Sequence, residues 1–294
     1  MSKRITLFSI LVLLGLSSVA APVQGQALVP YTLQLNASDM EKQGVFLTQE
    51  AVQLARLQQF DLAKQRVELA TQLAPKHAPS WFLLGSLYVQ TQEVDKGIVA
   101  LQKAHSLDPQ EPGVLFSLGS ARFQKGDYKG AIADLETGLK IKPDAPDALF
   151  DLGNAYYMLN RYPDAIAQYQ KAVNKDAKFW PAINNIGLIE YEQGNVNGAI
   201  GQWQKASDLD DKAAEPRLAT AVALYAKGEQ EKGLALGEAA IALDSRYADL
   251  EFLKENLWGN RLLGETKKFL EIPRIQASII KSQDQPSPET SPSE

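Results

Sequence analysis

Large apolar side chains recur along the chain in blocks of constant internal order, and small residues stand between them at fixed places. Counting in steps of 34 residues from Gly44, the eighth place reads Ala51, Gly85, Gly119, Gly153, Gly187 and Ala221. The twentieth reads Ala63, Gly97, Ala131, Ala165, Ala199 and Gly233, and the twenty-seventh Ala70, Ala104, Gly138, Ala172, Ala206 and Ala240. Only Ala and Gly occupy these columns, as close helix crossings require, because a larger side chain would hold the helices apart. The fillers lie around them: column four is Leu47, Trp81, Leu115, Leu149, Ile183 and Arg217, and column twenty-four is Val67, Leu101, Leu135, Tyr169, Trp203 and Gly237. The pattern predicts two helices in each of six units, 44–77, 78–111, 112–145, 146–179, 180–213 and 214–247. Pro75, Pro109 and Pro143 close the second helix of the first three units, since proline cannot continue a helix. Ala177, Asp211 and Ser245 replace them later, which predicts more continuous junctions there. Glu50, Arg217 and Thr220 interrupt the apolar columns in the first and last units, the polar outer faces expected of solenoid ends.

A 34-residue unit with a Leu-Gly pair early and alanines late resembles the tetratricopeptide repeat, and the resemblance spans 44–247 of the 294 residues. It implies an all-α solenoid, a right-handed superhelix of six helix pairs whose first helices line a concave face. In the family that face uses positions 2, 5, 6, 9, 12 and 13 of each unit. Position 5 carries Phe82, Phe116 and Phe150, and position 12 carries Phe123, Tyr157, Tyr191 and Tyr225. Asn154, Asn184 and Asn185 stand beside these two ladders, able to pair with a ligand's backbone amides. One reading is that the aromatics pack adjacent units. The other makes these ten residues the contacts of a partly apolar peptide or helix held in the groove. The subclass that grips chaperone C-terminal carboxylates is not matched. Asn154 and Asn185 are kept, but Phe150, Glu215 and Ala219 stand where the three cations belong.

The ends differ from the middle. In residues 1–26, Lys3 and Arg4 precede an uncharged run from Ile5 to Val23 with small residues at its end, the order of a signal peptide and also about the ~20 residues of a membrane anchor. Cleavage and retention both fit. Either would send the repeats across the membrane if the two basic residues stay in the cytoplasm. Residues 27–43 read as a linker ending in a helix start, with an Asn36-Ala37-Ser38 sequon of the kind that chance supplies. Residues 248–281 read as capping helices, with Leu250, Leu253, Leu257 and Trp258 on one helical face, and 282–294 as a disordered tail. An apolar N-terminus, an uninterrupted array and the closing stretch Lys267 to Ile279 are similar to membrane-associated tetratricopeptide proteins of cyanobacteria and chloroplasts, the Pitt type. That resemblance implies a thylakoid or plasma-membrane scaffold for pigment–protein biogenesis, with a client such as protochlorophyllide oxidoreductase.

Composition narrows the chemistry. With no cysteine there is no disulfide framework and no thiolate site, and a net charge of −5 argues against nucleic acid as a partner. His77 and His105 lie far apart without a paired carboxylate motif. Gly194, Gly198 and Gly201 follow no strand and read as turn and crossing positions, not a phosphate loop. No enzyme activity, metal or cofactor is expected. The sequence reads as a non-catalytic scaffold at a membrane that binds a protein client. The alternative is a soluble periplasmic or luminal accessory of envelope or secretion machinery after signal cleavage.

Overall fold

The computed structural model describes residues 36–283, and among them there are fifteen α-helices and no strand. Six helix pairs come first: α1 (Ala37–Arg56) with α2 (Phe60–Leu73), α3 (Ala78–Gln90) with α4 (Val94–Leu107), and α5 (Pro112–Gln124) with α6 (Tyr128–Ile141). The other three are α7 (Pro146–Met158) with α8 (Tyr162–Lys175), α9 (Trp180–Glu192) with α10 (Val196–Leu209), and α11 (Ala214–Ala226) with α12 (Gln230–Leu243). A 3-10 turn (Ser245–Ala248), α13 (Leu250–Glu255), α14 (Asn260–Leu270) and α15 (Pro273–Gln283) close the chain. Each second helix packs on the next first helix, and α1, α3, α5 and α7 also touch in succession, so the first helices form one continuous inner face of an all-α solenoid.

Three local rules repeat with the sequence period. The turn inside every pair places its fifteenth residue in the left-handed region: Gln58, Gln92, Gly126, Asn160, Gly194 and Gly228 all have positive φ. Gly194 thus serves a turn. The eighth column is small because column twenty-four of the same unit fills the space above it. A Cβ on Gly119 would stand 2.5 Å from Leu135, one on Gly153 2.4 Å from the Tyr169 ring, and one on Gly187 2.5 Å from the Trp203 indole. Tyr169 and Trp203 are fully buried there. The third rule concerns junctions. The second helices of the last three pairs end as sharply as those followed by proline. Asp176, Asp210 and Asp244 take extended backbone after them, and their side chains accept the amides of Lys178 (2.9 Å), Lys212 (2.9 Å) and Arg246 (3.0 Å). The same aspartate turn forms at Asp108 before Pro109 (3.2 Å to the Gln110 amide), and it ends the later helices without proline, so the continuous junctions expected at Ala177, Asp211 and Ser245 do not occur.

The ends depart further from the sequence reading. Helix α1 begins at Ala37, inside the stretch read as linker, because the Asn36 side chain caps it by accepting from the Ser38 amide. The cap is not one amphipathic face. Helix α13 stops at Glu255, Leu257 has φ +66°, and Trp258 turns into the core. Thr220, read as part of an outer face, is buried, because the C-terminal segment covers the sixth pair. No helix among the described residues is long and apolar enough to cross a membrane. The signal or anchor segment 1–26 and all but the start of the predicted tail lie outside the described residues.

Candidate interaction site on the inner face

The ten residues expected to meet a client fall into two groups. Phe82, Phe116, Phe123, Phe150, Asn154, Tyr157 and Tyr225 are partly buried, and Asn184, Asn185 and Tyr191 are buried. The aromatics are spent largely on packing. Phe123 lies 5.3 Å from the Tyr128 ring and Tyr157 5.6 Å from Tyr162, each position-12 ring meeting the first residue of its own second helix. Phe150 sits between Tyr169 (5.6 Å) and Phe179 (5.5 Å). Burial pushes the Tyr157 hydroxyl above its ordinary value.

The asparagines do not wait for a ligand's backbone. Tyr169 Oη donates to Asn154 Oδ1 (2.7 Å), Asn185 Nδ2 donates to the same oxygen (3.0 Å), and Asn184 Nδ2 donates to Asn185 Oδ1 (3.1 Å). The chain of bonds runs across α7, α8 and α9 and leaves one buried acceptor, Asn184 Oδ1, without a partner among the described residues, where an unmet buried polar group costs about 1–3 kcal/mol. Asn184 and Asn185 are therefore structural.

The remaining free part of the inner face lies between α3, α5 and α7. It is a cavity of about 430 Å³ lined by Ser86, Val89, Phe116, Ser120, Asp147 and Asp151, among others. Ser120 Oγ donates to Asp151 Oδ2 (2.6 Å), and burial raises the Asp151 carboxyl above the usual range, with Asp147 nearby adding to the rise. Neither aspartate has a cation partner among the described residues. These polar inner positions were passed over in the sequence because the aromatic ladders drew the reading. Their signal was present in the two aspartates at positions 2 and 6 of one unit.

Farther along, the inner face is closed by the chain itself. Helix α14 lies on α9 and α11. Tyr191 Oη donates to a Glu265 carboxylate oxygen, and the Arg261 guanidinium stacks 4.9 Å from the Tyr191 ring centre while donating to the Tyr191 carbonyl (3.1 Å). Burial, then the Glu265 contact, raises the Tyr191 hydroxyl. Glu192 receives the amides of Arg261 (3.1 Å) and Leu262 (2.9 Å). Phe269 enters the space above Gly237, 5.5 Å from the Tyr225 ring. In the first turn of α11, the Trp258 indole donates to Glu215 Oε1 (2.9 Å), and burial pushes this carboxyl up to about 7. Among the described residues, no group of three His, Asp or Glu is placed to hold a metal ion.

Comparison with known proteins agrees with the 34-residue frame. Sequence models of the tetratricopeptide repeat match residues 78–111, 146–179 and 184–248, and a further repeat model of the same kind matches 119–160. No curated protein matches the chain. Among solved structures, one of MamA is 24% identical, with 56% of this chain and 96% of that one aligned at a TM-score of 0.52. PilF of Pseudomonas aeruginosa is 14% identical over 74% of this chain and 99% of its own, at a TM-score of 0.62. The Cut9–Hcn1 assembly gives 17% identity over 75% of this chain and 45% of that one, at 0.60. At these identities the likeness is one of fold.

Proposed function

The chain is built of tetratricopeptide repeats, and from that premise we propose that it is a non-catalytic scaffold holding a segment of a client protein along the inner face of α3, α5 and α7. The observation that carries this is the open polar cavity there, about 430 Å³, on a face that α14 covers elsewhere. The surface is preformed on packed helices, so little ordering entropy opposes binding. Asp147 and Asp151 make no ion pair among the described residues, and with Asp144 they outnumber the cavity's one cation, Lys142, which favours a client segment that brings a Lys or Arg; serines at 86, 117 and 120 supply donors and acceptors around them.

A photo-crosslinking residue at Ser117 tests this in cells, with Lys140 as the outer-face control. The expected result is a discrete adduct from position 117 alone, whose yield falls roughly tenfold when Asp151→Lys is added, the loss of a buried charge contact. Equal adducts from both positions, or indifference to Asp151→Lys, would overturn it. Truncating Phe150 and Tyr157 is a poor substitute, because both rings pack against neighbouring aromatics and their loss reads as stability.

Placement at a membrane rests on residues 1–26, and a thylakoid role with a client such as protochlorophyllide oxidoreductase rests on the likeness of the stretch from Lys267 to Ile279. In the fold that stretch ends α14 and forms most of α15, so its apolar residues also have a packing role. Protease protection on sealed membranes, with the mass of the N-terminus, separates an anchored scaffold from a cleaved, soluble accessory.

A further inference from the structure

Helix α14 is placed as a ligand would be. The end of the solenoid is covered by α15, which packs on α12 and is pinned by Arg274 donating to Glu238 (2.8 Å) and Glu231 (2.9 Å). Helix α14 lies instead across α9 and α11, the continuation of the inner face. Its own N-cap residue is Gly259, which offers no side-chain cap. The cap comes from the groove: Glu192, some seventy positions earlier, takes the first amides of α14. A Cβ at position 259 would stand 2.3 Å from that carboxyl carbon, so a larger residue there would push the Glu192 side chain off the amides it caps. Leu262, Thr266, Phe269 and Leu270 enter the groove, while Asn260, Gly264, Lys267 and Lys268 face out. Eleven residues are too few for a stable helix alone, so α14 owes its form to the seat.

We infer that the inner face of α9 and α11 is a second binding site, selective for an amphipathic helix with an uncapped glycine N-terminus and large apolar residues seven apart, and that α14 is its resident, displaceable occupant. The site reads three features of such a helix. Glu192 reads the bare amides of its first turn. Tyr191 reads an Arg–Glu pair one turn apart, through ring stacking and its hydroxyl. The space between Tyr225 of α11 and Gly237 of the neighbouring α12 reads an aromatic near the C-terminus. A client helix must compete with a tethered one whose effective concentration is of millimolar order. A client that also occupies the cavity between α3, α5 and α7 meets that requirement by adding contacts. The inference shares with the proposed function only the idea that the inner face binds protein segments, and its test involves none of the residues used there.

The test uses the full chain and a labelled peptide of the sequence from Gly259 to Leu270. Leu262→Ala with Phe269→Ala empties the seat from within, leaving Tyr191, Glu192 and Gly237 in place. The expected result is saturable binding to this variant, at least about tenfold tighter than to the unmodified chain, and lost again on adding Glu192→Ala. If the variant keeps its helical circular dichroism yet binds the peptide no better than the unmodified chain, the inference fails. A second variant covers the case in which the first does not fold. Glu192→Ala alone should speed amide exchange in α14 while α9 to α12 keep their protection. Exchange rising in α14 and in α9 to α12 together would mean that α14 is an inseparable part of the core, and would also overturn the inference.

Discussion

Glu215→Gln should stabilise the protein by roughly 3 kcal/mol at pH 8 and by little at pH 5. The group has a folded pKa of about 7 against an ordinary 4.5, a rise of some 2.5 pH units worth ~1.4 kcal/mol each. Burial is the main cause. The Trp258 and Asn184 hydrogen bonds oppose it, as does the first-turn position on α11, where the helix dipole favours a negative charge. Because the folded state holds this proton more tightly than the unfolded chain, the stability it contributes is complete below pH 4.5. It drains away as pH rises towards 7 and is gone above that. Glutamine cannot ionise, so the variant does not share the decline. Its amide oxygen keeps the Trp258 indole. Urea unfolding at pH 5 and pH 8 decides the matter, and parallel pH profiles for the two proteins would sink it. Tyr247 and Trp258, both beside this carboxyl, lie between the last repeat and α14, so the connection to α14 is the part that loosens at alkaline pH.

The repeats were legible because their physics is periodic. Gly153 must be small because Tyr169 lies over it, and the same demand recurs 34 residues away at Gly187 under Trp203, so each unit repeats the evidence. The aspartate turns at Asp176, Asp210 and Asp244 were equally periodic, one column before the proline and present at Asp108 too, and a reading keyed to proline missed them. The inner face was legible only in part. Asn184 and Asn185 stand at positions that face the groove, but they are buried, Asn185 against Tyr169 and Asn184 against Glu215, which makes them structural, and no local pattern announces that. The seat of α14 depends on contacts such as Glu192 with Leu262, seventy residues apart and outside any period. One trace of it was visible: the column of large residues ends on Gly237. That glycine leaves a hole that Phe269 fills.

Gly237→Val should therefore evict α14. In the first pair the corresponding columns hold Ala51 and Val67, both fully buried, so the fold already accommodates valine opposite alanine, and Ala221 faces position 237 in the same way. A Cβ there would stand 2.5 Å from the Phe269 ring, closer than any real contact, and the ring has to leave. The repeat pair itself gains slightly, since valine is a better helix residue than glycine by a few tenths of a kcal/mol. The loss falls on α14: removing Phe269 from its site costs about 3–5 kcal/mol, as for other buried Phe→Ala changes. The expected pattern is loss of amide protection over Asn260–Leu270, with α11 and α12 unchanged. The pair of substitutions supplies the sharper check. Phe269→Ala should cost those several kcal/mol in the unmodified chain and under about 1 kcal/mol in the Gly237→Val background, because the ring is already out. Equal costs in both backgrounds would mean that Phe269 keeps its place and that the core around the sixth pair yields instead. A groove opened in this way would have Tyr191 and Glu192 newly exposed on α9.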